Sequence, residues 1–566
     1  MRPLVNYLLV HTPDPELRST LLDRWGKHSD FASVHKGPGN WIRGVAPLPS
    51  SSPVEHSAGS TWLGICEGGE NVANLSGFTH CLADAPETVG RYDGDISAIE
   101  LNEQCAIAMR SPGGLVPWYV YRGQSGVAVL SNRFAWLQRH LPIKFDTDAF
   151  AHALACDGIS CIDRRTPLHG VEAVPVGHIV QVDTQLDEAK ELPHVRFWHP
   201  EALTPSRWHR DDAAERGAQL RQILIERLTA DLDPGGANLL GLSGGVDSSC
   251  LGALAIGQAQ RRVNAFTFLP AEDHPAYSEV DGFVRSIAEV VRPQHHWRFP
   301  LSELDCLACP ERAPAVGMPV PHPALSHLPG MAAECSISVY TGGEAADDLF
   351  AGPFVLGKDW IEGISLMQLI RSLRAPWYGV ARRFVARQWF EAQTGTREMP
   401  LPADSEPYAL FNADICEEYA DWIQNQQQRL KQSHHPYRHL LHFFNFDGWL
   451  KQNWEVCSEL GIRRSLPFWC RQTIELALSI HPRFHALPPK RLIRLGMRND
   501  VPALNLERPD KGAWTESATV TWEGGEIPNR LSPYVRPELV GTVPTEMDFG
   551  NADLLSVLIA STRKIE

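Results

Sequence analysis

The stretch at residues 237–250 constrains this 566-residue chain more than any other feature of its sequence. The apolar run from Ala237 to Leu242, in which Asn238 is the polar member, is too short for a helix and predicts a buried parallel strand. It ends in Ser243-Gly-Gly245, whose backbone N–H groups can surround an anion. A helix opens at Ser248, so its positive end would face the same point. The sequence therefore predicts a phosphate-binding loop formed by Leu242, Ser243, Gly244, Gly245, Ser248 and Ser249.

The composition of this loop separates it from the commonest phosphate loop. No Gly-Lys-Ser/Thr ending follows its glycines, which counts against a kinase or an NTPase of that type. Asp247 lies inside the loop instead, and a carboxylate beside phosphates makes sense mainly as a ligand of Mg²⁺. Ser-Gly-Gly-x-Asp-Ser after a strand resembles the loop of enzymes that cleave ATP between its α- and β-phosphates. An incidental Gly–Ser turn is the alternative.

A group of carboxylates follows another predicted strand, at residues 335–340. The segment Thr341-Gly-Gly-Glu-Ala-Ala-Asp-Asp348 places three carboxylates within five residues, which is costly unless a cation or a proton transfer uses them. A solvated helix N-terminus is the alternative. We expect Asp347 to be a second Mg²⁺ ligand opposite Asp247, and Glu344 to be an acid–base group. Gly342 and Gly343 are expected to line the nucleotide site.

The pattern between these motifs is that of a doubly wound, parallel α/β sheet. Residues 211–232 predict a helix that leads into the loop strand, and Val263–Phe268 predicts the neighbouring strand. In such a sheet, the end of the strand beside the loop strand lines the nucleotide crevice. Phe268 is therefore a candidate contact for adenine, with packing in the core as the alternative.

The two motifs together resemble those of the asparagine synthetases and their relatives, which include the β-lactam synthetases and the macrolactam synthetases (cyclases) of lasso peptide biosynthesis. The segment Gly342–Asp348 stands where the family has Ser-Gly-Glu-Gly-Ser-Asp-Glu. Glu344 lies where β-lactam synthetases place Tyr, which counts against that branch. The resemblance implies that the chain uses ATP and Mg²⁺ in an ATP-pyrophosphatase type of domain.

The C-terminal part extends the resemblance. Gly461-Ile-Arg-Arg-Ser-Leu-Pro-Phe-Trp-Cys470 is similar to the family segment Leu-Glu-Ala-Arg-Val-Pro-Phe-Leu-Asp. It departs from that segment at Arg463 for Glu, Ser465 for Arg and Cys470 for Asp, which counts against recognition of free aspartate.

Two further positions are assigned by the same resemblance. Lys490 and Arg494 are spaced like the family's phosphate-binding Lys-x-x-x-Arg. Arg508-Pro-Asp-Lys-Gly512 resembles Arg-Pro-Lys-x-x-Phe, whose lysine stabilises the acyl-adenylate and the attack on it. Lys511 is the candidate for that catalytic role, at an offset of one residue. Solvated surface lysines are the alternative for both positions.

The first two hundred residues show short β-type runs separated by Gly, Pro and Asn turns, which predicts a sheet-rich α+β domain. Arg110–Tyr119 and Pro167–His178 resemble segments of the glutaminase (Ntn-type) domain of asparagine synthetases. That chemistry needs a cysteine as the first residue of the mature chain. Here Met1 is followed by Arg2, and the first cysteine is Cys66. We therefore expect residues 1–205 to form a degenerate class II glutamine amidotransferase-like domain, followed by an asparagine synthetase-like domain at 206–566.

Net charge and hydropathy limit the kinds of partner that we expect for this chain. The formal net charge of −15 counts against a nucleic-acid partner, because phosphates would be repelled. No apolar stretch approaches the roughly 18 residues of a membrane span, so we expect no membrane partner and a cytoplasmic location. A CxxC pair occurs at Cys306 and Cys309 without a second pair at zinc spacing, so a Pro-rich loop with two thiols is favoured over a metal site.

Within the family, the resemblance points most closely to the lasso peptide cyclases. It implies that a carboxylate side chain of a precursor peptide is adenylated and then joined to the N-terminal amine of that peptide, after a partner peptidase removes the leader. An asparagine synthetase-like ligase that uses ammonia or a small amine is one alternative. An inactive nucleotide-binding scaffold is the other.

Overall fold

The structure is a computed structural model of the chain. It describes residues 5–47, 54–58, 61–67, 97–123, 126–144, 146, 164, 166–184, 194–203, 212–300, 327–350, 412, 413, 417, 428, 448–480, 490–508, 519–521 and 546–548. Lys511, the Cys306/Cys309 pair and the boundary expected at residue 205 lie outside these ranges.

The N-terminal part is built from two six-stranded antiparallel sheets, ordered β10-β8-β9-β1-β3-β2 and β12-β11-β7-β6-β5-β4. The strands are β1 Val5–His11, β2 Ser33–Lys36, β3 Trp41–Pro47, β4 Val54–Ala58, β5 Thr61–Glu67, β6 Ser97–Leu101, β7 Cys105–Arg110, β8 Tyr119–Arg122, β9 Ala128–Ser131, β10 Val171–Ala173, β11 His178–Asp183 and β12 His194–Arg196. Helices α1 (Pro15–Gly26) and α2 (Phe134–His140) accompany the first sheet, and a 3₁₀ turn spans Pro200–Ala202.

The alternation of side chains along β1 shows why the sheets stack. Val5, Tyr7 and Leu9 pack into a core shared with β6 and β7 of the second sheet. Leu8 and Val10 point to the opposite face, where they pack with residues of α1 and α2. Because successive side chains of a strand point to opposite faces, a strand covered on both sides is buried throughout and mostly apolar. Every residue of β1 is accordingly buried.

The second half contains a five-stranded, fully parallel sheet in the order β15-β14-β13-β16-β17, which confirms the predicted parallel sheet. Its strands are β13 Asn238–Gly241, β14 Asn264–Leu269, β15 His296–Pro300, β16 Val339–Thr341 and β17 Arg463–Ser465. The helices are α3 Asp212–Asp231, α4 Val246–Gly257, α5 Tyr277–Val291, α6 Leu328–Cys335, α7 Ala346–Leu349, α8 Gly448–Glu459, α9 Arg471–Ser479, α10 Arg491–Gly496 and α11 Ala503–Leu506. A separate antiparallel pair joins β18 Thr519–Thr521 to β19 Glu546–Asp548.

Both faces of the parallel sheet are covered by helices. Leu240 packs into the large core that includes α3, α4, α9 and α10. Leu239, the preceding residue, packs on the other face with residues of α6 and α8. One expected boundary is wrong here: Cys335 ends α6, and the strand expected at 335–340 begins only at Val339.

The strand order creates a switch point between β13 and β16. From β13 the chain runs outward through β14 and β15, and it later returns to place β16 on the other side of β13. Connections therefore leave these two neighbouring strands in opposite directions, and a crevice opens at their carboxyl ends. The predicted phosphate loop follows β13, and the carboxylate segment follows β16. The fold thus brings the two motifs to one place.

Within the described ranges, no helix has the length and apolar character needed to cross a membrane.

Candidate active site

At one position in the loop after β13, only glycine fits the backbone conformation and the space available. Gly244 has φ +69°, and a Cβ there would lie 2.8 Å from the backbone of Phe283 and Val284 in α5. A side chain would therefore meet both backbone strain and a collision with α5. The loop consequently turns tightly into α4, whose N-cap is Gly245.

Hydroxyl groups hold the loop together. Ser243 N donates to Ser248 Oγ at 3.1 Å, and Gly245 N donates to Ser243 Oγ at 3.3 Å. The two hydroxyl oxygens lie 3.1 Å apart. Backbone N–H groups of the loop thus point inward at oxygen acceptors, which is the arrangement that suits phosphate oxygens at a helix N-terminus. Ser249 is fully buried in α4 and lies outside this network.

Two residues that the sequence analysis left without a role support the loop from behind. Asn505 Nδ2 donates to Gly244 O at 3.0 Å and to Phe283 O at 2.8 Å. Arg508 Nη1 donates to Ser243 O at 3.1 Å, and its guanidinium lies 4.6 Å from the centroid of the Phe283 ring. The carbonyl groups of Ser243 and Gly244 are therefore bound to these two side chains, which fix the loop from the side opposite its N–H groups. Arg508 opens the Arg-Pro segment quoted above, but no sequence signal indicates Asn505.

The carboxylate segment after β16 lies directly against the loop. A Cβ at Gly343 would lie 2.9 Å from Asp247 Cβ and 3.3 Å from Ser248 N, so glycine is needed for this close approach. Asp247 is buried in the first turn of α4, and Asp347 lies in the short helix α7. The structure thus brings the two predicted metal ligands to the same crevice.

Lys490 lies between the two aspartates. Its Nζ contacts Asp247 Oδ2 and lies 2.5 Å from Asp347 Oδ1. The residue precedes α10 in a left-handed conformation with φ +59°, and its backbone N donates to Phe350 O at 3.0 Å. Burial alone would lower the pKa of Lys490, but attraction to both aspartates outweighs it and the pKa is raised. Lys490 is therefore a buried cation held between the carboxylates of Asp247 and Asp347.

This arrangement fits Mg²⁺ by its donor chemistry. Hard divalent cations take carboxylate oxygens as ligands, and here oxygens from two separate segments converge on one positive charge. Asp247 and Asp347 are the residues that would hold the ion, which would neutralise phosphate charge beside the loop. Their role as metal ligands stays a prediction.

Arg494 lies one turn along α10. Its Nη2 donates to Arg508 O at 3.0 Å, and burial lowers its pKa. It therefore ties α10 to the segment that supports the loop. The close packing of α10 on α3 fixes this position, because a Cβ on Gly496 would overlap Gly217 of α3.

Glu344, the expected acid–base group, is held by an arginine that the sequence analysis did not assign to it. Glu344 Oε1 contacts Arg464 Nη2, and Oε2 has no hydrogen-bond partner among the described residues. The Arg464 side chain is 1% exposed and that of Glu344 is 38% exposed. The partly exposed carboxylate of Glu344 is thus held at the crevice by the buried guanidinium of Arg464.

Phe268 packs against other aromatic rings. Its ring lies 5.4 Å from Phe299, 5.9 Å from Phe266 and 5.6 Å from His327, measured between centroids. It is partly buried in the cluster on the α6 face of the sheet. Packing therefore accounts for Phe268, and contact with adenine stays a prediction.

A phosphate-type loop, two converging carboxylates and a lysine at the switch point of a parallel sheet are the arrangement expected of a nucleotide-binding α/β protein. Residues 219–539 match the family described as asparagine synthase. The match covers more than half of the 566 residues, and the chain therefore belongs to this family.

Curated relatives agree with this assignment. Proteins of Mycobacterium bovis and Mycobacterium tuberculosis, named "Putative asparagine synthetase (glutamine-hydrolyzing)", are 30% identical over 252 residues. The aligned stretch is 43% of this chain and only 37% of the relatives' own length. Both the family match and these relatives support an ATP-dependent ligase.

Solved structures are similar only weakly. A glutamine phosphoribosylpyrophosphate amidotransferase from B. subtilis aligns with 52% of this chain and 90% of its own, at 9% identity and a TM-score of 0.22. An allosteric regulatory enzyme of purine biosynthesis aligns with 52% of this chain and 80% of its own, at 11% identity and a TM-score of 0.21. Likenesses of this size carry no argument about the site.

Proposed function

We propose that this chain is an ATP-dependent, AMP-forming ligase that joins a carboxylate to an amine. The observation that carries the proposal is the convergence of Asp247, Asp347 and Lys490 beside the loop after β13. The loop lacks the Gly-Lys-Ser/Thr ending of the commonest kinase and NTPase loops. The additional carboxylate of Glu344 in the same crevice supplies a proton acceptor, which amide formation requires.

The residues divide the work between two steps. In the first, a substrate carboxylate oxygen bonds to the α-phosphorus of ATP, and the bond to pyrophosphate breaks. The N–H groups of the loop and Lys490 stabilise the charge that develops on the leaving phosphates. In the second, an amine nitrogen bonds to the activated carbonyl carbon, AMP leaves, and Glu344 takes the proton. Lys511 remains the candidate for stabilising the oxyanion of this step.

We further propose that the carboxylate belongs to a peptide rather than to free aspartate. The charged residues of the family segment are replaced here by side chains directed into the core. Arg463 Nη2 donates to Asp231 O at 3.2 Å, and Ser465 Oγ donates to Asp231 Oδ2 at 2.8 Å. Cys470 is buried, with its Sγ 3.0 Å from Thr473 Oγ1. These positions hold α3 and α9, so they offer no charge to a small amino acid.

The particular reaction that we propose is lasso-type macrolactam formation on a leaderless precursor peptide, with a leader peptidase as partner. The asparagine synthetase relatives favour a second candidate, which is amide formation from free aspartate and ammonia. A nucleotide-binding scaffold without turnover is the third candidate. The presence of Asp247, Glu344 and Asp347 counts against it.

Incubation with Mg-ATP tests these proposals. A linear peptide with a free N-terminal amine and an internal Asp or Glu should release pyrophosphate and lose one molecule of water in its mass spectrum. Asparagine formed from L-aspartate and ammonium chloride would instead establish the second candidate. If no carboxylate substrate of either kind stimulates pyrophosphate release, the ligase proposal is wrong.

A further inference from the structure

Two departures of this chain from the family motifs converge on Glu344. Gly342 occupies a position at which the family has Ser. Arg464 occupies the position of Ala in the family segment Leu-Glu-Ala-Arg-Val-Pro-Phe-Leu-Asp, which residues 462–470 resemble. A Cβ at residue 342 would overlap Glu344 Oε2, so the present orientation of the carboxylate requires glycine there. Turned in this direction, the carboxylate meets the guanidinium of Arg464. The two departures therefore serve the same contact.

Arg464 is held rigidly before it reaches Glu344. Its Nη1 donates to Tyr340 O at 3.1 Å and to Ser465 O at 3.2 Å, while its Nε donates to Asn453 Oδ1 at 3.1 Å. The guanidinium lies 3.9 Å from the centroid of the Tyr340 ring. Burial would lower the pKa of Arg464, but attraction to Glu344 outweighs it, and the pKa is raised. The planar guanidinium is thus fixed at β17 and remains charged.

The support for Arg464 extends to the N-terminal sheets through α8. Asn453 faces Arg464, whereas the next residue, Trp454, packs in the core between the two antiparallel sheets. Trp454 Nε1 donates to Asn132 O at 2.7 Å. Two successive residues of α8 therefore make both contacts. Trp454 packs on the N-terminal sheets, and Asn453 orients Arg464.

We propose that Arg464 is the positioning residue for Glu344. It binds Oε1 and thereby holds the partly exposed Glu344 side chain in the orientation in which its carboxylate accepts the proton of the attacking amine. The inference rests on the proposed ligase function, because it assigns a role within the second step. There the amine nitrogen bonds to the carbonyl carbon, the C–O bond to AMP breaks with its electron pair leaving on AMP, and the amine proton passes to the Glu344 carboxylate. The hydrogen bonds of Arg464 go to β16, β17 and α8 rather than to the phosphate loop, so it acts after adenylation.

The first test compares the rate of pyrophosphate release with the rate of amide formation within a single turnover of full-length variants, using the peptide and the aspartate–ammonium probes. Arg464→Met should retain the rate of pyrophosphate release within about twofold but lose about 10- to 100-fold in the rate of amide formation, because a misplaced proton acceptor slows only the second step. Gly342→Ser should also lower the rate of amide formation more than that of pyrophosphate release. In both variants the ratio of the two rates then rises above that of the wild-type chain. Gly342→Ser should fold well, since it displaces only the flexible end of Glu344. Arg464→Lys keeps a cation and should recover part of the loss.

Gly330→Ser is the matched control, because a Cβ at Gly330 in α6 meets nothing within 4 Å. It should keep the wild-type ratio of the two rates. If Arg464→Met and Gly342→Ser slow pyrophosphate release and amide formation by the same factor, Arg464 is only structural and the inference is overturned.

A second test needs no substrate. Urea unfolding of Arg464→Met, Glu344→Gln and the double variant forms a thermodynamic cycle. The effects on the unfolding equilibrium constant should be non-additive, because either single change removes the same contact. Additive effects would overturn the positioning role even if the wild-type chain is an active ligase. Absence of pyrophosphate release from the wild-type chain would contradict the proposed function instead, so the two failures can be told apart.

Discussion

At the scale of single residues, the site is organised by charges that neutralise one another. Asp247 and Asp347 would repel if they stood alone at this separation, and the ammonium of Lys490 removes that repulsion. A group that replaces this ammonium must also be a cation. Mg²⁺ bound with ATP would meet that requirement, and Lys490 would then be available to approach phosphate oxygens.

Replacement of Lys490 by Met tests this exchange. Without nucleotide, the variant should be destabilised because the two carboxylates share a crevice without the ammonium group that lies between them. Added MgCl₂ should then raise its thermal unfolding temperature more than that of the wild-type chain, in which Lys490 competes for the same oxygens. Lys27→Met, which alters an exposed ion pair with Asp23, is the control. Equal Mg²⁺-dependent shifts in Lys490→Met and the wild-type chain would show that Lys490 and the metal do not share a position.

The conformation of the loop permits a prediction for Gly244. Gly244→Ala should destabilise the chain by about 1–3 kcal/mol, because φ is positive and the added methyl group meets the backbone of α5. Urea unfolding measures this loss. Gly257→Ala, at a helix position where a Cβ meets nothing, should be neutral or slightly stabilising. Wild-type stability in Gly244→Ala would mean that the loop is not held against α5.

At the scale of secondary-structure elements, α8 and α2 depend on each other. Glu455 of α8 accepts the backbone N–H of Phe134, at the start of a helix that has no side-chain cap of its own. Its other oxygen accepts Arg133 Nε at 3.1 Å, and Arg133 Nη2 lies 2.6 Å from Glu459 Oε2. Burial raises the pKa of Glu455 despite these partners. An ion pair so deeply buried is costly to break from one side.

Arg133→Leu should therefore destabilise the chain by about 3–5 kcal/mol, since it leaves the Glu455 carboxylate buried without its cation. The double variant Arg133→Leu/Glu455→Leu should lose less, because no uncompensated charge remains. Urea unfolding of both variants measures the difference. If the double variant is the less stable of the two, capping of α2 by Glu455 outweighs the cost of the buried charge.

At the scale of the whole molecule, pH should act through buried histidines. Burial lowers the pKa of His178 in β11 to about 4, and it also lowers those of His11 and His296. Each native pKa lies below the unfolded value of about 6.5, so the unfolded chain binds more protons in that interval. Stability is therefore full above pH 6.5 and decreases as the pH falls toward 4.

Urea unfolding at pH 7 and pH 5 measures this decrease. His178→Gln should reduce the pH dependence, whereas His274→Gln on an exposed loop should not. An unchanged slope in His178→Gln would show that His178 does not contribute.

Much of the parallel sheet and its two motifs could be predicted because the signals are local. A strand, a glycine turn and a helix follow one another within about twenty residues, and each reports its own conformation. Arg464 could not be paired with Glu344 in this manner, since 120 residues separate them and neither spacing nor composition indicates the contact. Asn505 is likewise 261 residues from the carbonyl of Gly244 that it binds. Long-range polar contacts depend on the packed fold, which is why sequence patterns missed them.

The double attachment of α8 sets a rule for building hybrids between members of this family. A hybrid cut near residue 205 would keep this chain's Asn132 and Arg133 but replace the helix that they bind. The transplanted helix would then lack its contacts with the N-terminal sheets. The arginine that follows it would no longer be held in position for Glu344. A workable exchange should transfer residues 448–465 together with the N-terminal sheets, although more than two hundred residues separate them along the chain.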